Sequence, residues 1–371
     1  MPTSTSPEGK RAMPVDLRFA SWLLDRLATW KFVALVTVVT VVRSGVGLKR
    51  GEDFIDLARS FPRPNGGYWS WAVLSPGIAH LVHATTGHRW LLLHLGLVLA
   101  TFALVGWLLS KRLDTGAKWR AASVWVAVSA MPPVSLQWLG HYDVWMYAGG
   151  ALAALADRWA LIAIGGALIG ATNVEQGLPG LVGMGLVLVA LDRPSPARAA
   201  VVRSGVAIAS AVAAHVAIGL FWWVRYRVTV PHRSGAFFEN LHDSLVSNLG
   251  AGTTGVFAWY GLAWTVVLVA LWRVHGDRRA LWPALGGLLV VPAVLTLTTL
   301  DGTRVFAAIA CPAFLAVVAW LGRSERRDDA GLDLMDRLAA GTIALSCIVP
   351  TITTIDGQVV APLRYVVERL F

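Results

Sequence analysis

Charged residues are scarce in this sequence, and their scarcity decides the class of protein. Only 15% of the residues are Asp, Glu, Lys or Arg, whereas 56% are hydrophobic. A water-soluble domain has no core large enough to bury so much apolar surface, so the composition predicts an all-α polytopic membrane protein. The net charge of +10 does not indicate a nucleic-acid partner, because in such a chain the distribution of Lys and Arg along the sequence reports membrane orientation instead.

Cysteine is nearly absent as well. The two cysteines, Cys311 and Cys347, both lie inside apolar runs, which excludes a disulfide framework and a cysteine-based metal site.

The segment 1–31 is polar and basic with an amphipathic piece, and it lacks the compact apolar core of a signal peptide. We therefore expect it to be cytoplasmic and the span that follows it to act as a signal anchor.

Apolar runs fill most of the remainder, 32–371, and predict a single transmembrane domain of about eleven spans. The N-terminus is expected inside and the C-terminus outside, because most Lys and Arg residues then fall in inner segments. Two of the spans are short for a hydrocarbon core of about 30 Å, which is tolerated where a helix lines a protein cavity. The predicted spans are residues 32–48, 90–110, 121–138, 144–157, 159–172, 177–191, 204–224, 254–272, 281–300, 304–322 and 338–355.

Two large outer loops follow from this topology, at residues 49–89 and 225–253. The second half of the first loop, residues 71–87, is apolar but rich in Trp and His, so we expect interfacial helices there. Reading it as an extra span would invert all later loops and place the basic RVHGDRR and RSERR segments outside, against the positive-inside rule.

Polar residues that are unusual beside membrane spans gather at the predicted outer face. Since they come from five separate loops on one side, a single outward-facing cavity is the economical interpretation. The residues are Asp53 and Asp56 in the first loop, His141 and Asp143 in LGHYDVW, Asn173, Glu175 and Gln176 in TNVEQG, Arg225, Arg227, His232, Arg233, Glu239 and His242 in the second large loop, and Asp301 and Arg304 in LDGTRVF.

Each of these groups also has a purely structural interpretation. Asp53 and Asp56 are three residues apart and share a helix face, where they could pair with Arg50 and Arg59 at a solvated surface. Asp143, with His141 beside it, could simply cap the helix that follows. Arg304 could pair with Asp301, as intramembrane charges usually do.

The pattern resembles the GT-C superfamily of integral-membrane glycosyltransferases, especially bacterial polyprenyl-phosphate-sugar-dependent members such as the mannosyltransferases. The similar features are the acidic GEDFIDLAR directly after the first span, the interfacial segment YWSWAVLSPGIAHLVHATTG, the glycine-rich helix pair that begins at GHYDVW, and a late outer loop with basic residues. The resemblance covers residues 32 to about 191, and the remainder only by topology. At Asn173–Gln176 the sequence departs from it, because many members have a basic residue there.

The resemblance implies transfer of a sugar, a hexose such as mannose, from a polyprenyl-phosphate donor to a glycan or lipid acceptor at the extracytoplasmic face of the plasma membrane. Such a reaction needs a base for the acceptor hydroxyl and fixed cations for the phosphate leaving group. Asp53 matches the base position best, with Asp56 second. Arg304 is the first choice for the phosphate, because guanidinium binds phosphate bidentately, and the alternatives are Arg225, Arg227 and Arg233.

Sugar or acceptor hydroxyls would be bound by His141, Asp143, Asn173, Glu175 and Asp301. No metal or other cofactor is expected, because a monophosphate leaving group can be neutralised by arginine, although Asp53, Asp56 and Asp143 could in principle gather a divalent ion. The expected partners are the lipid-linked donor, the acceptor and membrane lipids, with no nucleic acid.

Other classes of function remain open at this point. A transporter or flippase for a lipid-linked or anionic solute would use the same charged residues along a transit path, but it predicts polar residues at mid-membrane depth and matched halves. A polyprenyl-linked glycan polymerase or ligase would depend on arginine and histidine in large outer loops. A membrane scaffold without activity would not need acids and arginines from five loops on one face.

Overall fold

The computed structural model describes residues 38–47, 51–65, 67–113, 116–191, 197–232, 241–324, 334–346, 348–355 and 358–360. Over these residues the chain is almost entirely helical. The helices are α1 (38–44), α2 (Gly51–Ser60), α3 (Leu74–Leu81), α4 (Gly87–Arg112), α5 (Gly116–Val128), α6 (Met131–Gln137), α7 (Asp143–Leu155), α8 (Trp159–Gly170), α9 (Val174–Leu191), α10 (Ala197–Tyr226), α11 (Leu241–Tyr260), α12 (Trp264–Val274), α13 (Arg278–Leu285), α14 (Val291–Thr296), α15 (Gly302–Ser324) and α16 (Leu334–Ser346).

Short irregular pieces join some of these helices. Two 3₁₀ turns lie at Tyr68–Trp71 and Gly261–Ala263, and a π-helical segment at Gly286–Val290 connects α13 to α14. Near the end of the described chain, β1 (Thr353–Ile355) pairs antiparallel with β2 (Gln358–Val360).

Within the residues that the structure describes, six helical stretches are long and apolar enough to cross a membrane. They are α4, α9, α10, the continuous stretch Leu241–Val274, the stretch Arg278–Thr296, and α15. The predicted all-α class with several helices able to span a membrane is therefore confirmed, whereas the count of eleven spans stays a prediction.

Helix α15 is the core of the bundle. In the most apolar 18-residue stretch of α15, 94% of the residues are buried, whereas in that of α10 only 17% are buried and the helix faces outward. Helix α15 packs against α7 and α9, and α7 and α10 pack in turn against the short helix α8. A helix that is apolar on all sides is stable only when other helices or lipid surround it. The first turn of α15 contains one charged residue, Arg304, which is therefore buried in the core.

Small residues allow the short helices to approach closely. Gly166 and Gly170 of α8 face the backbone carbonyls of Ala207 and Ala211 of α10, and a Cβ at either glycine would overlap those carbonyls. This repeat at four-residue spacing on both helices is the small-residue packing typical of membrane helices. It explains how a twelve-residue helix is held in the bundle.

Two predicted spans differ from the structure. The run 121–138 is divided into α5 and α6, because Pro132 and Pro133 lie in the first turn of a second helix. The run 338–355 ends as a helix at Ser346, and its last residues form strand β1, which packs against α15 and α11.

The second half of the segment 49–89 forms a short helix and not a span, whereas its interfacial position stays a prediction. Helix α3 has eight residues, far too few to span a bilayer, and it follows the 3₁₀ turn that contains Trp69 and Trp71. Helix α2 packs against α3, and the imidazole Nδ1 of His80 lies 2.9 Å from the carbonyl oxygen of Ala58.

Arginine side chains bind the carboxyl end of α7. Arg112 donates from Nε to the carbonyl of Leu155 at 2.7 Å, and Arg203 donates from Nε to the carbonyl of Ala153 at the same distance. Both also bond the carbonyl of Ala156. Cations at a helix C-terminus satisfy its free carbonyls and oppose the helix dipole, so these two residues mark the basic end of the bundle, opposite the polar cluster described next.

Candidate active site

Three buried polar side chains and the partly exposed Asp301 form a cluster where α7 and α15 begin. Arg304 donates from Nε to both carboxylate oxygens of Asp143, at 3.1 and 2.8 Å, and from Nη2 to Nδ1 of His141 at 2.9 Å. Its Nη1 lies 3.4 Å from Oδ2 of Asp301. Arg304, Asp143 and His141 are each at most 3% exposed, so this is a desolvated charged network and not a surface pair.

The bond to Arg304 fixes the proton on His141. A guanidinium has only donors, so Nδ1 of His141 must accept, and a histidine that accepts at Nδ1 carries its proton on Nε2 and is neutral. The cluster therefore consists of one cation, one buried carboxylate, a neutral imidazole and the partly exposed carboxylate of Asp301.

Aromatic rings enclose the guanidinium of Arg304. Its Cζ lies 4.4 Å from the ring centre of Trp138 and 4.6 Å from that of Tyr142, within the range of cation–π contacts. Together with the polar partners, these rings shield the guanidinium of Arg304 from solvent. In this conformation a phosphate has no approach to Arg304.

The local sequence explains how the cluster is assembled. Gly140 has φ of +91°, and a Cβ there would overlap the indole of Trp90. Only glycine fits this turn, and the turn positions His141 just before the start of α7. Helix α3 is attached to the same turn, since Ser75 donates to the carbonyl of His141 at 3.2 Å and receives a bond from the indole of Trp145 at 2.9 Å.

Helix α2 lies against this cluster by its apolar face. Phe54 is fully buried, and its ring centre is 4.3 Å from that of His141. Asp53 and Asp56 occupy the opposite, exposed face, as their spacing predicted. Asp56 makes an exposed ion pair with Arg59 at 2.9 Å, and the other predicted partner, Arg50, lies outside the described residues. The two carboxylates are thus carried on a helix that contacts the buried cluster, but they do not take part in it.

A second polar group lies beside the 3₁₀ turn. Glu175 and Asn173, at the start of α9, line a small pocket with Tyr68, Trp71 and Thr172. The amide nitrogen of Asn173 is buried without a hydrogen-bond partner. A buried donor left unpaired costs about 1–3 kcal/mol, so this pocket is suited to a bound hydroxyl or water.

Two histidines complete the pocket. The ring of His215 stacks on Trp71 at 3.9 Å between centres, and His232 stacks on the same indole at 5.5 Å. Nδ1 of His232 is 3.8 Å from Oε1 of Glu175. Sequence reasoning selected His232 for the outer face but not Trp71 or His215, because the three residues come from distant segments and no spacing rule links them.

The remaining predicted cations are at the end of α10. Arg225 and Arg227 are exposed, with guanidinium carbons 5.6 Å from the ring of Tyr226 and 5.2 Å from that of Trp223, respectively. Arg233 lies outside the described residues. Of the arginines predicted to bind phosphate, Arg304 is therefore buried, whereas Arg225 and Arg227 are exposed.

The three aspartates considered for a divalent ion are not brought together. Asp143 is buried against Arg304, whereas Asp53 and Asp56 face outward. Over the part of the chain that the structure describes, no group of three His, Cys, Asp or Glu residues has an arrangement suited to a metal ion.

No protein-family model and no curated protein matches this sequence. Among solved structures the chain is similar to the archaeal oligosaccharyltransferase AglB from Archaeoglobus fulgidus, determined in complex with an inhibitory peptide and a dolichol-phosphate. The superposition has a TM-score of 0.46 at 15% sequence identity and covers 87% of this chain and 54% of the archaeal one. The chain spans about half the length of that enzyme, and a likeness of this size carries no argument about function.

Proposed function

We propose that this protein transfers a hexose such as mannose from a polyprenyl phosphate to a glycan or lipid acceptor at the extracytoplasmic face. The observation that supports it best is the contact of Phe54 with His141. That contact brings α2, which carries Asp53 and Asp56 on its exposed face, against the buried cationic cluster of an apolar helical bundle.

A first-loop carboxylate acts as the general base in this proposal. Asp53 or Asp56 takes the proton of the acceptor hydroxyl, whose oxygen bonds to the anomeric carbon while the bond from that carbon to the phosphate oxygen breaks. The electron pair of the broken bond leaves with the polyprenyl phosphate. Asp53 is the preferred base, because Asp56 is held by Arg59.

The leaving phosphate requires a cation that it can reach. Arg225 and Arg227 are exposed, so we assign the phosphate to them, together with Arg233, which follows them in the sequence. Arg304 contributes in this conformation by fixing His141 and Asp143, and it contacts the phosphate only if the cluster opens.

One sugar hydroxyl is assigned to the pocket beside the 3₁₀ turn, whose volume of about 10 Å³ has room for little more than a water molecule. Glu175 and Asn173 line it, and the unpaired amide of Asn173 offers a donor. His141, Asp143 and Asp301 are engaged by Arg304, so their binding of sugar or acceptor requires the same opening.

The wider assignments follow from the same proposal. The transmembrane domain 32–371 has eleven spans, with segment 1–31 in the cytoplasm and both outer loops, 49–89 and 225–253, at the face where transfer occurs. The chemistry requires no metal beyond the arginines.

The direct test is sugar transfer in membranes that contain the protein. Labelled polyprenyl-phosphate mannose and glucose are supplied in parallel with the nucleotide sugars and with a polyprenyl-pyrophosphate sugar, and matched membranes without the protein serve as the control. The expected result is label in a glycan or lipid product from a polyprenyl-phosphate donor only. Transfer from a nucleotide sugar, or none from any donor, would reject the proposal.

A further inference from the structure

Trp71 connects two parts of the chain that are 160 residues apart. It lies in the 3₁₀ turn Tyr68–Trp71, and its indole nitrogen donates to the carbonyl oxygen of Pro231 at 3.1 Å. Its ring is stacked on that of His215 of α10, with 3.9 Å between ring centres, and on that of His232, with 5.5 Å. One side chain therefore attaches α10 and the chain that follows it to the 3₁₀ turn.

The surface of α10 receives this indole at a defined position. His215, Gly219 and Trp222 are four and three residues apart, so they lie on one face of the helix. The ring centre of Trp71 is 5.0 Å from that of Trp222, which is 3% exposed although most of α10 faces outward. A Cβ at Gly219 would lie 3.2 Å from Cη2 of Trp71, a tight contact, so the glycine makes room for the ring.

The chain that follows α10 is irregular and largely exposed. Residues 227–232, all of them described, form neither helix nor strand, and only Val230 among them is buried. Arg227 has φ of +56°, a left-handed backbone conformation that residues other than glycine seldom adopt. A segment without a ladder of backbone hydrogen bonds is held by its individual contacts, so the bond and the stacking with Trp71 largely fix its position.

The same turn is packed against the helix that carries Asp53. The ring centre of Trp69, two residues before Trp71, is 5.7 Å from that of Phe54, in an edge-to-face contact. Phe54 is the buried neighbour of Asp53 on α2. The turn thus lies between two elements with different assignments in the proposed function, because α2 carries the base and the segment that begins at Arg227 carries a phosphate ligand.

We propose that Trp71 is a positioning residue that holds the segment 227–232 at a fixed distance from α2. Its consequence for transfer rests on the proposed function, in which Asp53 and Arg227 act on the two partners of one reaction. An error of about 1 Å in such an arrangement can cost about a hundredfold in rate. Trp71 acts through Pro231 and the rings of α10 and touches neither substrate.

Pulsed dipolar electron paramagnetic resonance measures the held distance without requiring turnover. The full chain in lipid nanodiscs carries spin labels at Arg63→Cys and Thr229→Cys, two exposed positions on either side of the Trp71 contact. Cys311→Ala and Cys347→Ala remove the natural thiols in every sample. The distance distribution between the two labels then reports how firmly the segment is held.

We expect a narrow distribution in the presence of Trp71 and a broad one in Trp71→Leu. Trp71→Phe keeps a ring that stacks but loses the bond to Pro231, so its distribution should be intermediate, and it decides the test if Trp71→Leu gives no folded protein. Trp282→Leu, at a position of α13 that is 68% exposed, is the control and should leave the distribution narrow. A distribution that is equally narrow without Trp71 would overturn the inference.

Kinetics test the consequence for transfer. Trp71→Leu should raise KM for the polyprenyl-phosphate donor about tenfold, the factor that corresponds to the loss of one aromatic stacking pair. Trp71→Phe should recover part of this loss, and Trp282→Leu should have the KM of the wild type. A merely structural role would lower the amount of active protein and leave the donor KM unchanged, so an unchanged KM in Trp71→Leu would refute the positioning role.

The two readouts separate this inference from the proposed function. If the wild type transfers no sugar from any donor, the proposed function is rejected, and the distance distribution alone decides whether Trp71 holds the segment.

Discussion

The buried ion pair of Arg304 and Asp143 makes a quantitative prediction about stability. Arg304→Met leaves the carboxylate of Asp143, which is 1% exposed, without its counter-ion in the core. Removing one partner of a buried pair costs about 3–5 kcal/mol. We expect the free energy of unfolding to fall by that amount, measured by sodium dodecyl sulfate titration in mixed micelles with tryptophan fluorescence as the readout.

The double variant separates the pair from its surroundings. Asp143→Leu should be destabilising alone, because it leaves Arg304 buried and unpaired. Arg304→Met combined with Asp143→Leu should be less destabilised than the sum of the single variants, with a coupling energy of about 2–3 kcal/mol, because both charges are then gone. Arg198→Met, at an exposed position of α10, is the control and should change stability by less than about 0.5 kcal/mol. Additive single effects would refute the network, and so would an Arg304→Met variant as stable as the control.

Two glycine substitutions test how the fold builds the site. Gly140→Ala should destabilise the protein by about 1–3 kcal/mol, because alanine must adopt the left-handed backbone and its Cβ overlaps Trp90, whereas Gly276→Ala, with open space around it, should cost far less in the same unfolding titration. Equal costs would show that the turn is not constrained. Gly170→Leu should sharply reduce the yield of folded protein, measured by size-exclusion chromatography in detergent, because the larger side chain separates α8 from α10. Gly205 of α10 has no neighbour within 4 Å, so Gly205→Leu is the control and should express like the wild type. A normal yield for Gly170→Leu would contradict the proposed packing.

Composition and hydropathy predicted the helical membrane class and the six long helices, because both depend on local apolar content. The helix face shared by Asp53 and Asp56 was also predictable, since their spacing alone decides it. Span boundaries were less reliable. Pro132 and Pro133 signalled the break between α5 and α6, and the β-branched run from Thr351 to Ile355 signalled a strand where an apolar helix was predicted.

The buried cluster was out of reach of sequence reasoning for a different reason. His141, Asp143 and Arg304 were selected as separate sugar and phosphate ligands from different turns, and their mutual bonds span more than 160 residues of chain. No local pattern reports which turns meet in space. The sequence suggested Asp301 as the partner of Arg304, whereas the shorter contact is to Asp143.

The most direct measurement of the central claim is the rate of sugar transfer by Asp53→Asn. The substitution keeps the size of the side chain and removes the charge that a base requires, and removal of a general base typically costs 10²- to 10⁴-fold. Glu52→Gln changes another exposed acid on the same helix and is the matched control. The account predicts a loss of at least about a hundredfold in kcat for Asp53→Asn, with KM for the donor and the rate of Glu52→Gln close to wild type. If Asp53→Asn retains full activity, Asp56→Asn is the remaining test, and full activity in both would contradict the assignment of the base to the first outer loop.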